Sequence, residues 1–226
     1  MSRPKLLDLY CGAGGAAKGY HDAGFDVTGV DLSPQPRFPF KFVEGDCLVL
    51  DPKWIRRNFD AVHASPTCQA HTKLKTMHNA RPHLDLIPGT RAILEACGLP
   101  WIIENVVGAP LIDPIILCGT MFGLAAGELE LQRHRQFEAN FKLYGSTCRH
   151  HGRGTIGIYG DHIRDRRRRA GSQDRGRADP TFADGCKAMG IDWMQMTELC
   201  QSIPPAYTSF LGAQLRYQVE TWDLIG

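Results

Sequence analysis

No stretch of the 226-residue chain approaches the ~18 consecutive apolar residues of a membrane span, so no transmembrane helix is expected. Met1 to Leu9 holds no long apolar core of the kind a secretory leader carries. The eight cysteines, at 11, 47, 68, 97, 118, 148, 186 and 200, lack paired spacing. They read as reduced thiols rather than a disulfide framework, and the expected compartment is the cytoplasm. Internal repeats are lacking, and the only low-complexity patch is the arginine run 166–169. Net charge is nearly absent: 26 Lys+Arg stand against 24 Asp+Glu, a formal +2. Taken whole, that balance argues against strong nucleic-acid binding. What is present is ordinary for a soluble globular protein, with 43% hydrophobic and 22% charged residues. This excludes a disordered tail, a collagen-like chain and a coiled coil, and the length suffices for a buried core.

The first half alternates apolar runs with helical patterns. Lys5–Tyr10, Phe25–Val30, Phe40–Val43, Phe59–Ala64 and Trp101–Ile103 read as strands, and Ala16–Ala23 and Thr90–Cys97 as helices. This β-α-β order predicts an α/β fold with a mostly parallel sheet and helices on both faces. Beyond Pro114, Ile115–Leu117 and Gln136–Phe141 suit an antiparallel edge. Met189–Cys200 reads as a helix, as does Ala206–Trp222, with Pro205 in its first turn.

Asp8-Leu9-Tyr10-Cys11-Gly12-Ala13-Gly14-Gly15 lies between a strand and a helix. Glycines let the backbone turn tightly and approach a ligand, and a helix N-terminus adds donors. Asp31 ends the next strand, where a carboxylate can bond ribose hydroxyls. With Ala17 in the third slot, the glycine pattern alone does not separate a dehydrogenase from a methyltransferase. Ser65-Pro66-Thr67-Cys68-Gln69 follows a strand end, where open α/β sheets bind ligands. Cys68 there is a candidate nucleophile, against the alternative of an inert buried thiol. Glu104, flanked by apolar residues at the end of the fifth strand, is a candidate proton holder, or else a cap or ion-pair partner. Arg133 and Arg135 share one face of an extended segment, suited to a phosphate or an oxyanion, or else to solvent.

In this order, the motifs resemble those of the DNA cytosine-5 methyltransferases. Asp8 to Gly15 matches the first motif, D-x-F-x-G-x-G-G, with Tyr10 in the aromatic slot. Pro66-Thr67-Cys68-Gln69 is similar to the nucleophile motif. Glu104-Asn105-Val106 and Gln132-Arg133-His134-Arg135 are intact, and Gln201-Ser202-Ile203-Pro204-Pro205 is similar to the last motif. Thr67 and Gln201 depart from the family's Pro and Asn. The compact length and Cys118–Leu124 are most similar to short bacteriophage members. The resemblance implies a Rossmann-like S-adenosylmethionine-dependent fold, with residues 1–141 and 194–226 catalytic and 142–193 a small irregular target-recognition segment. It implies methyl transfer to carbon 5 of a flipped cytosine in double-stranded DNA. By the same resemblance Cys68 forms the covalent adduct, Glu104 serves ring nitrogen 3, and Arg135 and Arg133 serve the base carbonyl or a phosphate. Tyr10, Gly12, Gly14, Asp31, Asp46, Pro66 and Ser202 are then the cofactor residues, and Asn105 orients the loop of Glu104. A catalytically silent DNA-binding relative, and a same-fold enzyme for another pyrimidine substrate or a modified one-carbon group, are the alternatives. The chain is expected to act as a monomer.

Residues 149–177 hold nine Arg against three Asp, net +6, which leaves 17 basic and 21 acidic residues, net −4, in the rest. The balanced total therefore hides an acidic body and a basic segment able to neutralise phosphates. A segment this short predicts a target of two to four base pairs. Cys148, His150, His151, His162 and Cys186 fit no standard zinc-finger spacing, so no metal is expected.

Overall fold

The computed structural model describes residues 2–67, 85–165 and 179–225; Cys68 and Arg166–Arg169 lie outside the described residues. The main sheet takes β1 (Lys5–Leu9), β2 (Asp26–Asp31), β3 (Lys41–Glu44), β4 (Ala61–Ala64), β5 (Trp101–Asn105), β6 (Ile115–Leu117) and β9 (Arg135–Ala139). Its order is β3-β2-β1-β4-β5-β9-β6. The strands from β3 across to β5 pair in parallel, and β9 runs antiparallel between β5 and β6. The order reverses between β1 and β4, so the crevice beyond their carboxyl ends is where such sheets take ligands.

Both faces of the central strands are buried, which is why they read as continuous apolar runs. Leu6, Val27, Ala61, Ile102 and Phe137 face α1 (Gly15–Asp22) and α6 (Pro205–Ile225), where they meet Tyr20, Tyr207, Leu211 and Leu215. Their sequence neighbours Leu7, Val62 and Ile103 face α2 (Pro52–Asn58) and α3 (Ile87–Cys97) through Ile55, Leu94 and Cys97. This is the two-residue alternation of a strand. α1 and α6 lie in close contact because Gly19 has no Cβ; one there would run into Pro205 O and Thr208 Oγ1. No helix among the described residues is long and apolar enough to cross a membrane.

A second sheet, ordered β11-β10-β8-β7, joins β7 (Ala125–Ala126), β8 (Leu129–Glu130), β10 (Gly154–Tyr159) and β11 (His162–Asp165). Ile156, Ile158 and Ile163 pack there against Met189, Ile191 and Leu199. The stretch expected to be irregular thus contributes two strands and part of a core. This sheet also draws strands from both sides of residue 142. The helix expected over Met189–Cys200 forms only from Met196 on, and an earlier helix ends at Met189. α4 (Phe182–Met189) stops at Gly190, whose φ of 68° is left-handed, and α5 (Met196–Gln201) begins after it. A glycine in that conformation caps α4 and redirects the chain.

Candidate active site

The parallel register brings the expected cofactor residues to one edge. Asp31 pairs with Glu44, and Gly45 N donates to Asp31 O, so Asp31 and Asp46 leave the sheet side by side. The Asp31 carboxylate accepts from Gly12 N at 3.0 Å and from Ser33 N at 3.1 Å. Each oxygen keeps further acceptor capacity. Asp46 accepts from Leu48 N at 2.9 Å and so caps the short helical turn Cys47–Val49. Gly14 sits at φ 87° as the N-cap of α1, where a side chain would be strained. A Cβ placed on Gly12 would meet nothing within 4 Å among the described residues, so the turn is open on that side.

Three other elements hold the turn from behind. Trp193 Nε1 donates to Ala13 O at 2.9 Å. Ser202 presses on Gly15, where a Cβ would run into Ser202 Oγ and Ile203 O. Its hydroxyl donates to Met194 Sδ at 3.3 Å, which makes Ser202 a packing partner of the turn. Tyr10, itself at φ 57°, bonds Thr90 Oγ1 through its hydroxyl at 2.9 Å, and burial pushes its pKa up to about 12. The composition gave no sign of Leu32 and Val49, which are 70% and 77% exposed beside Asp31 and in the turn capped by Asp46.

The second group gathers at the carboxyl ends of β4 and β5. Glu104 is 6% exposed, and Arg135 Nε lies 3.0 Å from its Oε1. The antiparallel register sets Asn105 opposite Gln136, which puts Arg135 beside the end of β5. Burial raises the Glu104 pKa, and Arg135, His63 and Arg133 hold it back. Desolvation is the larger effect, so the net shift is upward. Behind it, Asp8 and His63 face each other across β1 and β4, fully buried, with Oδ1 and Nδ1 2.8 Å apart. Asp8 Oδ2, His63 Nε2 and the Tyr20 hydroxyl have no hydrogen-bond partner among the described residues. Sequence patterning did not single out this pair, although a buried strand carrying Asp opposite one carrying His is a readable signal.

Asn105 connects the two groups. Its Nδ2 donates to Pro66 O at 3.0 Å, and its Oδ1 accepts from Val106 N at 2.9 Å. The strand carrying Glu104 therefore grips buried Pro66, two residues before Cys68, whereas the sequence assigned Asn105 to the loop of Glu104 itself. Cys68, the expected nucleophile, lies outside the described residues. Arg133 does not present its guanidinium to the crevice. Nη1 and Nη2 donate to Ile158 O and Cys200 O, each at 2.7 Å, and Tyr207 donates to Arg133 O. The two arginines therefore divide their work: Arg135 pairs with Glu104, and Arg133 ties the second sheet to the end of α5.

No protein-family model matches the sequence, and no curated protein matches it. Among solved structures, the Dnmt2 methyltransferase of S. pombe aligns over 96% of this chain and 99% of its own, with 15% identity and a TM-score of 0.64. A DNMT2 mutant from Spodoptera frugiperda aligns over 65% of this chain and 53% of that one, with 20% identity and a TM-score of 0.42. The fold, a mostly parallel Rossmann-like central sheet flanked by helices, is the one this chain shares with the S. pombe Dnmt2 methyltransferase.

Proposed function

We propose that the chain is an S-adenosylmethionine-dependent methyltransferase that acts on carbon 5 of a cytosine flipped out of DNA. The observation that carries this reading is the bond from Asn105 to Pro66, which ties the approach to Cys68 to the strand that bears Glu104. Glu104, an acid of raised pKa, and the Arg135 guanidinium share one crevice next to the Gly-rich turn, and Cys68 follows Pro66 by two residues in the sequence. A dehydrogenase would give those three groups no common task.

The cofactor fits the open turn. Gly12 and Gly14 admit its amino-acid end, Asp31 its ribose hydroxyls and Asp46 its adenine amino group, with Leu32 and Val49 offering apolar surface to the ring. Tyr10 and Ser202 support the turn from behind, and Pro66 continues the neighbouring strand end. When bound, S-adenosylmethionine supplies an electrophilic methyl whose sulfonium departs as a neutral thioether.

Cys68 adds as thiolate to carbon 6 of the base, and the ring electrons move toward carbon 5. Glu104 gives or shares a proton at nitrogen 3 and so stabilises the charge that develops there. Arg135, held by Glu104, has further N–H donors for the base carbonyl. Loss of the carbon 5 proton to a base then returns electrons to the ring and expels Cys68 as thiolate. The Arg-rich stretch 149–177 supplies the positive charge that binds the phosphates.

Transfer of labelled methyl from S-adenosylmethionine to DNA tests the reading. Wild type should label DNA, Cys68→Ser should not, and DNA containing 5-fluorocytosine should trap a covalent complex. Labelling of RNA instead of DNA would replace the substrate but keep the chemistry. No transfer to either, with the cofactor bound, would sink the reading in favour of a silent binding relative.

A further inference from the structure

Four metal-ligating side chains converge outside the crevice. Cys118 follows β6, His134 precedes β9, and Cys148 and His150 lie on the segment leading into β10. One donor atom from each falls within 4.8 Å of all the others. Cys118 Sγ is 3.5 Å from His150 Nε2, and Cys148 Sγ is 3.4 Å from His134 Nε2. The two imidazoles meet edge to face, with centroids 5.3 Å apart.

We propose that Cys118, His134, Cys148 and His150 are the ligands of a structural zinc ion. With Zn–S near 2.3 Å and Zn–N near 2.05 Å, a tetrahedral angle sets sulfur and nitrogen ligands about 3.6 Å apart. The two cross-pairs stand at 3.5 and 3.4 Å, within a few tenths of an ångström of that spacing. A pair of separate thiol–imidazole hydrogen bonds explains each pair but not why the two pairs meet. Two soft thiolates and two imidazoles in a tetrahedron select zinc over magnesium or calcium. Binding releases one proton from each thiol to solvent and leaves both imidazoles neutral, so two thiolates balance the dication. Thr120 Oγ1, 3.3 Å from Cys118 Sγ, is placed to donate to that thiolate, the kind of outer contact that fixes a ligand.

The set differs from the one the sequence offered. Cys148 and His150 belong to it. His151 does not: its Nδ1 is 3.0 Å from Glu130 Oε1. His162 packs against the Tyr159 ring, and Cys186 lies on α4. The missing partners, Cys118 and His134, stand 16 residues apart, and His134 is embedded between Arg133 and Arg135. The ion would bind the edge of the main sheet to the chain as it enters the second sheet. It would also fix the backbone whose His134 O accepts from Arg135 Nη1 at 2.9 Å. His134 is then a positioning residue for Arg135 as well as a ligand, and none of this depends on the reaction catalysed.

The test is metal analysis of the full chain purified without chelator, together with replacement by Co²⁺. Wild type should carry one zinc per chain. The Co²⁺ form should show the ligand-field bands of a tetrahedral site and thiolate charge transfer. Cys148→Ser and His150→Ala should fall well below one zinc per chain, and His151→Ala should keep it. Circular dichroism reports whether the variants fold; if they do not, the Co²⁺ spectrum of wild type decides. Wild type that holds no zinc and takes up neither Zn²⁺ nor Co²⁺ after reduction would overturn the proposal. So would full zinc retention in the folded Cys148→Ser/His150→Ala double variant, or a Co²⁺ spectrum without thiolate charge transfer.

Discussion

The two sheets are stabilised in different ways. The main sheet is held by burial: its central strands are covered on both faces by helices, and the fully buried Asp8 and His63 meet across adjacent strands. The second sheet is small, with strands of two residues in β7 and β8, and adds polar tethers to its own small core. Arg133 reaches Ile158 and Cys200, His151 meets Glu130, and the Cys-His cluster pins its approach. Charge divides along the chain too: the described part of the basic stretch, residues 149–165, leads into and forms β10 and β11. Under the proposed function, the chemistry resides on the main sheet and contact with phosphates falls to the basic stretch.

That contrast can be broken at several points. Glu104→Gln keeps the shape but removes the proton, and methyl transfer should fall by roughly 10²–10⁴-fold with little change in folding. Because burial raises the Glu104 pKa, the wild-type rate should drop as pH rises through that value, and the Gln variant should lose that limb. An unchanged rate profile would remove Glu104 from the acid role. Replacing Arg166–Arg169 by Gln should leave thermal unfolding alone but flatten the salt dependence of DNA binding. Four lost phosphate contacts correspond to about a hundredfold less weakening between 50 and 200 mM salt. Equal slopes for the two proteins would show that the run does not touch phosphate.

Arg133→Lys should mark the reverse case, a structural cost with the reacting groups untouched. One ammonium cannot serve two carbonyls held by a planar fork, and each buried carbonyl left bare costs about 1–3 kcal/mol. The variant should unfold at a lower temperature, and thermal scans would reveal a purely catalytic Arg133 if they did not shift. The smallest effect is expected at Trp193→Phe. It removes one hydrogen bond, worth about 1 kcal/mol, and should raise the cofactor Kd more than it lowers the melting temperature.

Legibility follows the same division. β1, the Gly-rich turn, Asp31 and Glu104 were readable because burial on both faces and strand-end chemistry act over a few neighbouring residues. The α2 helix was missed although its start is signalled by Asp51, whose side chain accepts from Lys53 N, and by Pro52 in the first turn. β7 and β8 of the second sheet were unreadable because a two-residue strand carries no period. Arg133 and Arg135 look alike in sequence, and only the third dimension shows one bonding carbonyls 25 and 67 residues away and the other a carboxylate. The Cys-His cluster was hidden for the same reason: its members come from separate segments joined by the sheet edge.

The closure of the Gly-rich turn by late residues has a consequence in time. Ala13 O waits for Trp193, 180 residues on, and Ala16 O accepts from Thr208 Oγ1, 192 residues on. At roughly 5–20 residues per second, a ribosome needs about 10–40 s to make that intervening chain. During synthesis the first strand and helix exist without the partners that complete the turn, and the contact closes one of the longest loops the chain can form. Cofactor binding that depends on this turn should therefore wait until Trp193 and Thr208 have been made.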